Sequence, residues 1–307
     1  MLSAAAYHAG KFLKESELLP EVPFCVWCRF GGLRKRELVL QRNPDVWLLT
    51  CPRCRAVSAS RVATQATLDA YYASYYEATD RHHVTCGNPG RHARHICRYA
   101  KTDSSAAHIS ILDFGGGDGS ISHAVGLELA KKSEASIEIT VVDYDSRLVA
   151  PELSRIEMSR EGSLDKVPVD QTFDIVLASA ILEHLTDPAN VARRLLDSVA
   201  PRGYFYARTP YMVPILRVLS RVGLPLDFTF PAHFHDLGED FWNNALSTLG
   251  LDSQEWVLVR SRPSIVETSL ADDATRTILA YIMKAPWWVL RSLYGFPGGW
   301  EIFLHRE

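Results

Sequence analysis

The chain has 307 residues, 47% of them hydrophobic and 22% charged, with a formal net charge of −3; this is ordinary globular composition, with room for one large or two modest domains. So small a net charge excludes a general attraction to phosphate backbones, so a small molecule rather than nucleic acid is the expected partner. No run approaches the ~18 apolar residues that span a bilayer, and Met1 to Glu21 lacks the layout of a signal peptide, so no membrane insertion and a cytoplasmic location are expected.

Two Cys-x-x-Cys pairs, Cys25-Val-Trp-Cys28 and Cys51-Pro-Arg-Cys54, stand 22 residues apart. Each offers two thiolates from a tight turn, and the four together satisfy tetrahedral Zn²⁺ in a reducing compartment. Between them Leu38-Val-Leu-Gln41 and Val46-Trp-Leu-Leu-Thr50 flank Asn43-Pro44-Asp45, which predicts a hairpin. Residues 1–62 therefore resemble a zinc ribbon. A site closed by four thiolates is structural, because no coordination position is left for a substrate. Arg34-Lys35-Arg36, Arg53, Arg55 and Arg61 make this unit locally basic, either as a solvated face or for contact with RNA.

Leu68, Tyr71, Tyr72, Tyr75 and Tyr76 recur at helical spacing between Thr67 and Glu77, which predicts a helix whose rings serve either the core or an amphipathic lid. From Arg81 to Lys101 come His82, His83, Cys86, His92, His95 and Cys97, at spacings that match no ordinary zinc pattern. Residues 63–105 accordingly read as a Tyr-rich lid and a partly basic, mobile connector.

Alternating strands and helices begin at Ile109. Ile109-Ser-Ile-Leu-Asp113 is a buried strand, and Gly115, Gly117 and Gly119 follow where the chain turns into a helix, letting backbone N–H groups approach a ligand. Ser120 is the expected N-cap, with Ile121, Val125 and Leu129 on the buried face. A second strand, Ile137-Glu-Ile-Thr-Val-Val-Asp143, ends in a carboxylate 24 residues after Gly119, where a nucleoside-binding βαβ unit places an acid on the ribose hydroxyls. A short third strand near Arg155 to Met158 precedes an acidic loop around Asp165. The fourth strand, Phe173-Asp-Ile-Val-Leu-Ala178, runs into Ser179 and then Glu183-His184. Asp187-Pro188 starts a helix with Val191, Leu195 and Val199 on one face, and Pro201-Arg-Gly203 turns the chain into a fifth strand, Tyr204 to Ala207.

In order and spacing, Leu112-Asp-Phe-Gly-Gly-Gly-Asp-Gly119, Val141-Val-Asp143, Phe173-Asp-Ile-Val176, Leu182-Glu-His-Leu185 and Pro201-Arg-Gly-Tyr204 resemble the successive motifs of the class I S-adenosylmethionine-dependent methyltransferases, over about residues 106–260. The resemblance implies an α/β fold with a Rossmann-like, mostly parallel seven-stranded sheet in residues 106–307, behind the small N-terminal zinc ribbon. It implies S-adenosylmethionine as cofactor beside the structural Zn²⁺. Gly115, Gly117 and Gly119 would approach the amino-acid and ribose part of the cofactor, with Asp113 near its ammonium end. Asp143 would accept from the ribose hydroxyls, Asp165 would meet the adenine amine, and Ser179 would complete the cofactor-binding set. A nicotinamide-dependent enzyme of the same fold shares the spaced glycines and the later acid, but Glu183-His-Leu185 favours methyl transfer.

The ribbon and the Tyr-Tyr segment are similar to a subgroup that methylates sugars and other small metabolites, so the implied acceptor is a sugar or secondary metabolite. The nucleotide-sugar C-methyltransferases of that subgroup carry a further C-terminal domain for which this length leaves no room. Two other readings are an RNA methyltransferase that binds nucleic acid through its ribbon, and a non-catalytic methyltransferase-fold binding module. The intact glycines and Asp143 argue against the second.

Beyond Tyr211 lies Pro231-Ala-His233-Phe-His235-Asp236, a loop the resemblance sets over the substrate, although a structural role suits either histidine. His184, His233 and His235 are the candidate catalytic bases, since imidazole titrates near neutrality. Phe241, Ala245, Leu246 and Leu249 predict a helix, Trp256 to Arg260 a sixth strand, and Trp300 to His305 a seventh at the sheet edge. Between those strands, at about 263–296, sits a helical insertion: one helix from Ala274 to Lys284 stopped by Pro286, and a second from Pro286 to Tyr294. Its tryptophans either pack on the sheet or touch an apolar substrate or membrane surface.

Overall fold

The computed structural model describes residues 11–78, 87–103, 105–144, 147–224 and 228–307, with the side chains of 75–78 and 292 left aside. The expectations for the Tyr75 and Tyr76 rings and for His82, His83 and Cys86 therefore lie outside the described residues.

The predicted hairpin forms from β1 (Lys35–Gln41) and β2 (Val46–Thr50), paired antiparallel around Asn43, whose φ of +53° closes the turn. A third strand, β3 (Val57–Ala59), follows the second cysteine pair and pairs with β2. Two helices come next, α1 (Gln65–Ala78) and α2 (Pro89–Tyr99). The second replaces most of the expected connector. Asn88 caps it by accepting from the Arg91 N–H at 2.9 Å, Pro89 pre-sets its first turn, and Ala93, Ile96 and Cys97 form a buried stripe. Its histidines are held inside: His92 Nε2 meets the Tyr206 hydroxyl at 2.8 Å and His95 Nε2 the buried Glu301 carboxylate at 2.7 Å. Buried polar groups that find partners cost little, so basic and imidazole residues here do not mean a loop.

The main sheet is built from β4 (His108–Phe114), α3 (Ser120–Ala130), β5 (Ser136–Val142), β6 (Ile156–Glu161), β7 (Phe173–Ser179), α4 (Pro188–Asp197) and β8 (Val199–Tyr211). After α5 (Val213–Arg221) and a two-residue strand, β9 (His235–Asp236), come α6 (Glu239–Asn243) and α7 (Ala245–Thr248). Then follow β10 (Trp256–Pro263), α8 (Ala274–Leu290) and β11 (Gly298–Arg306). The order across the sheet is β10-β11-β8-β7-β4-β5-β6, parallel from β8 through β6, with β11 antiparallel to both its neighbours. This is the Rossmann-like methyltransferase sheet. The direction of winding reverses between β4 and β7, which opens a crevice at their carboxyl ends.

The central strands bury both faces, as parallel strands under helices must. Ile109, Ile111, Ile139, Val141, Ile175 and Leu177 join α2 and α3 in one apolar cluster, while Leu112, Val142, Val176 and Ala178 join α4 and α6 in another. That second cluster also takes in Cys25, Trp27, Cys51 and Cys54, with the Trp27 ring 4.9 Å from that of Phe241, so the cysteine unit shares the core of the main sheet.

Several expected boundaries move. Gly119, at φ +77°, is the N-cap of α3, so Ser120 is its first helical residue. Val199 opens β8 instead of closing the preceding helix, and Pro201 to Gly203 lie within that strand as a bulge against β7, with Arg202 at φ +65°. The edge strand is β10, because β11 inserts between β8 and β10. The insertion forms one helix running through Pro286, not two. A proline removes one helical N–H bond, which packing can offset: the neighbouring Trp287 is 2% exposed and its Nε1 donates to Glu239 at 3.1 Å.

Candidate active site

The turn after β4 has the geometry its glycines require. Gly115, Gly117 and Gly119 all take left-handed φ of +72°, +60° and +77°. A Cβ on Gly115 would meet Ile181 at 2.4 Å, whereas one on Gly117 would meet nothing within 4 Å. Gly117 therefore borders open space, and its N–H donates to Asp143 Oδ2 at 2.8 Å, tying the two strand ends together. Asp113, 2% exposed, lies beneath this turn, and burial pushes its carboxyl up to about 6. Its Oδ2 has no hydrogen-bond partner among the described residues. Asp165 is exposed on a single 3₁₀ turn after β6, where its backbone N–H donates to Ser163 Oγ at 3.2 Å. Ser179 ends β7 with its hydroxyl buried and unpartnered among the described residues, and Ala180 follows at φ +58°.

On the other side of the reversal, a 3₁₀ turn after β7 carries Glu183 and His184. The loop before β9 returns to this turn through a Phe234 N–H to Glu183 carbonyl bond of 2.7 Å, which brings His233 against His184 with ring centroids 4.7 Å apart, edge to face. Tyr72 on α1 places its hydroxyl 3.0 Å from His184 Nδ1. Glu183 is 2% exposed, burial pushes its carboxyl up to about 8, and its Oε2 has no partner among the described residues. The structure thus gathers Tyr72, Glu183, His184 and His233. Glu183 was legible only as part of a motif, and Tyr72 only as one of several helical tyrosines.

His235 sits apart from this group. It belongs to β9, which pairs with β3 through Val57↔Asp236 and Ser58↔His235 and so completes the small sheet of the cysteine unit. Its Nδ1 meets Ser58 Oγ at 3.0 Å and its Nε2 donates to the Leu185 carbonyl at 2.8 Å, while burial lowers its pKa to about 4. With both nitrogens engaged inside the protein, the ring is a neutral strut. The next residue, Asp236, accepts from the Met212 and Val213 N–H groups at the start of α5, at 2.6 and 3.0 Å.

The four cysteines converge as their spacing requires. Sγ atoms of Cys25 and Cys54, and of Cys28 and Cys51, lie 3.6 Å apart, against about 3.8 Å for thiolates tetrahedral on Zn²⁺ at ~2.3 Å. The two turns match: Arg29 N–H donates to the Cys25 carbonyl at 2.9 Å and Arg55 N–H to the Cys51 carbonyl at 3.0 Å, with both arginines at positive φ. The Cys25–Cys54 contact holds the Cys25 thiol below the usual range and raises that of Cys54. Four thiolates this close need a cation among them, and the set is placed to hold one zinc ion.

Residues 84–254 match the family described as a methyltransferase domain. Among solved structures the chain is similar to an S-adenosylmethionine-dependent methyltransferase from Mesorhizobium loti, at 16% identity and a TM-score of 0.41, over 70% of this chain and 98% of that one. It is also similar to the plantazolicin methyltransferase BpumL in complex with SAH, at 13% identity and a TM-score of 0.48, over 79% of this chain and 91% of the other. Coclaurine N-methyltransferase bound to N-methylheliamine and SAH aligns at 12% identity and a TM-score of 0.43, over 71% of this chain and 72% of that one. No curated protein matches the chain.

Proposed function

The chain belongs to the family of methyltransferase domains, and on that premise we propose that it methylates a small molecule at the carboxyl ends of β4 and β7, with S-adenosylmethionine as donor. The observation that carries this reading is Gly117. Left-handed, open to space and hydrogen-bonded to Asp143, it offers a backbone approach to a nucleoside beside the carboxylate that follows β5.

The residues fit the cofactor. Asp143 would accept from the ribose hydroxyls, Asp113 Oδ2, which has no partner among the described residues, would answer an ammonium group, and Asp165 and the Ser179 hydroxyl would border the adenine and the methionine part. When bound, the cofactor supplies a sulfonium methyl, whose carbon–sulfur bond breaks toward sulfur as the acceptor's lone pair takes the carbon. The protein's own residues align the acceptor, keep water out and receive the acceptor's proton. His184 and His233 are the residues for that last task, with Tyr72 as a positioning residue that holds the His184 ring. His235 drops out of this role because its nitrogens are occupied.

The same reading keeps residues 1–62 as a structural zinc unit, 63–105 as the segment that brings Tyr72 to the site, and 106–307 as the catalytic part. The test is transfer of labelled methyl from S-adenosylmethionine into a metabolite extract, with and without ribonuclease. Ribonuclease-resistant label in a small product supports the proposal. Label lost to ribonuclease would make the acceptor RNA, and no label together with no cofactor binding by calorimetry would defeat the assignment.

A further inference from the structure

The Cys₄ site is closed, but a second set of metal-ligating atoms stands where the acceptor is read to bind. The ligating atoms of Glu183, His184 and His233 all lie within 4.8 Å of one another. Ligands at ~2.1 Å on a single cation stand about 3–4.2 Å apart, so small side-chain rotations close the set. A second observation comes from Glu183 alone: it is 2% exposed, and its Oε2 has no partner among the described residues. A buried carboxylate oxygen without a donor is costly unless something binds it. A third is the Tyr72 hydroxyl at His184 Nδ1, 3.0 Å away, the kind of outer contact that fixes a ring for ligation through its other nitrogen.

We propose that Glu183, His184 and His233 hold a divalent transition-metal cation, with open positions that take an oxygen of the methyl acceptor. Two imidazoles and one carboxylate suit Zn²⁺, Co²⁺, Mn²⁺ or Fe²⁺, unlike the thiolates of the ribbon. Three protein ligands leave coordination positions for a substrate, which four do not. An acceptor hydroxyl bound there would lose its proton more readily, the proton passing to solvent as the acceptor binds, with His184 and His233 then serving as ligands in place of bases; the favoured acceptor is therefore an alcohol or phenol rather than a carbon acid. This proposal rests on the acceptor lying at this end of the sheet, and it changes what answers the developing oxygen charge from an imidazole to a cation.

The test adds Co²⁺ to chain whose Cys₄ site is already filled with Zn²⁺. The expected result is one cobalt per chain, with d–d absorption and no thiolate-to-cobalt charge-transfer band. Glu183→Gln, His184→Ala and His233→Ala should each weaken cobalt binding by about tenfold or more while the zinc stays in place. In the wild-type chain alone, which does not depend on the variants folding, paramagnetic NMR should show two exchangeable imidazole resonances outside the diamagnetic range. Cobalt that enters only the thiolate site, no cobalt bound beyond the zinc, or absence of those resonances would overturn the proposal. Calorimetry with S-adenosylmethionine on the same samples separates the two readings: a chain that binds the cofactor but no cobalt keeps the methyltransferase assignment and loses this one.

Discussion

On the β4–β5–β6 side of the crevice, the residues read as holding the cofactor, all but Ser179 of β7, follow one another along a single path of strands and turns from Asp113 to Asp165, and the key link is a Gly117 N–H on the Asp143 carboxylate. On the β7 side, Tyr72, Glu183, His184 and His233 come from three separate stretches, and the loop carrying His233 is anchored through β9 to the cysteine unit. The first side needs little beyond local backbone geometry. The second needs the ribbon, α1 and the main sheet in register together. The two sides should therefore fail separately when broken, one as lost cofactor affinity and the other as lost turnover.

The largest expected effect falls on the acceptor side. His184→Gln and His233→Ala should each cut turnover ~10²–10⁴-fold while cofactor affinity stays nearly constant. Rates measured beside calorimetric binding check this, and near-normal turnover in both would leave the imidazole pair without a chemical role.

Replacing Cys51 and Cys54 together by Ser should release the zinc and loosen the β3–β9 pairing that holds the His233 loop. Turnover is expected to fall ~10²-fold through misplacement of the acceptor side, with S-adenosylmethionine affinity changed by less than about threefold, since the loop anchored by β9 carries His233 and not the β4 turn. Equal losses in binding and rate would erase the distinction between the two sides.

Asp143→Ala acts on the cofactor side. Loss of the acceptor for two hydroxyls should weaken S-adenosylmethionine binding by roughly 1.5–3 kcal/mol, and the Gly117 N–H loses its partner as well. Unchanged affinity in a folded variant would remove the nucleoside assignment.

The smallest effect concerns Asp113, whose carboxyl burial pushes up to about 6. Only the ionised form attracts an ammonium group, so affinity should be full well above pH 6 and decline as pH falls through it, by roughly tenfold per unit at the limit. Calorimetry across this range should show the decline in the wild type and a flat, weaker binding in Asp113→Asn.

Much of the cofactor side was legible in the sequence because its signals are local. Left-handed turns demand glycine, parallel strands buried on both faces demand apolar runs, and an acid at the end of β5 stands at a set distance along the chain from the turn it meets. The cysteine pairs were legible for the same reason, since tetrahedral ligation constrains spacing. Where local signals compete, sequence reading went astray: Ala93, Ile96 and Cys97 of α2 were masked by the histidines and arginines around them, and Pro286 suggested a break that the buried Trp287 bridges.

What the sequence by itself determined, then, is the succession along the chain of the seven main-sheet strands, the thiolate set and the residues that line the β4 turn, all of which follow from short-range sterics and ligand geometry. Only the tertiary structure decided which histidine meets which partner. His233 and His235 are two residues apart and chemically identical, yet one lies against His184 and the other is sealed between Ser58 and the Leu185 carbonyl. That division arises because β9, paired with the distant β3, holds only His235 and Asp236, while His233 belongs to the turn before it, where its N–H donates to the Thr229 carbonyl at 3.1 Å.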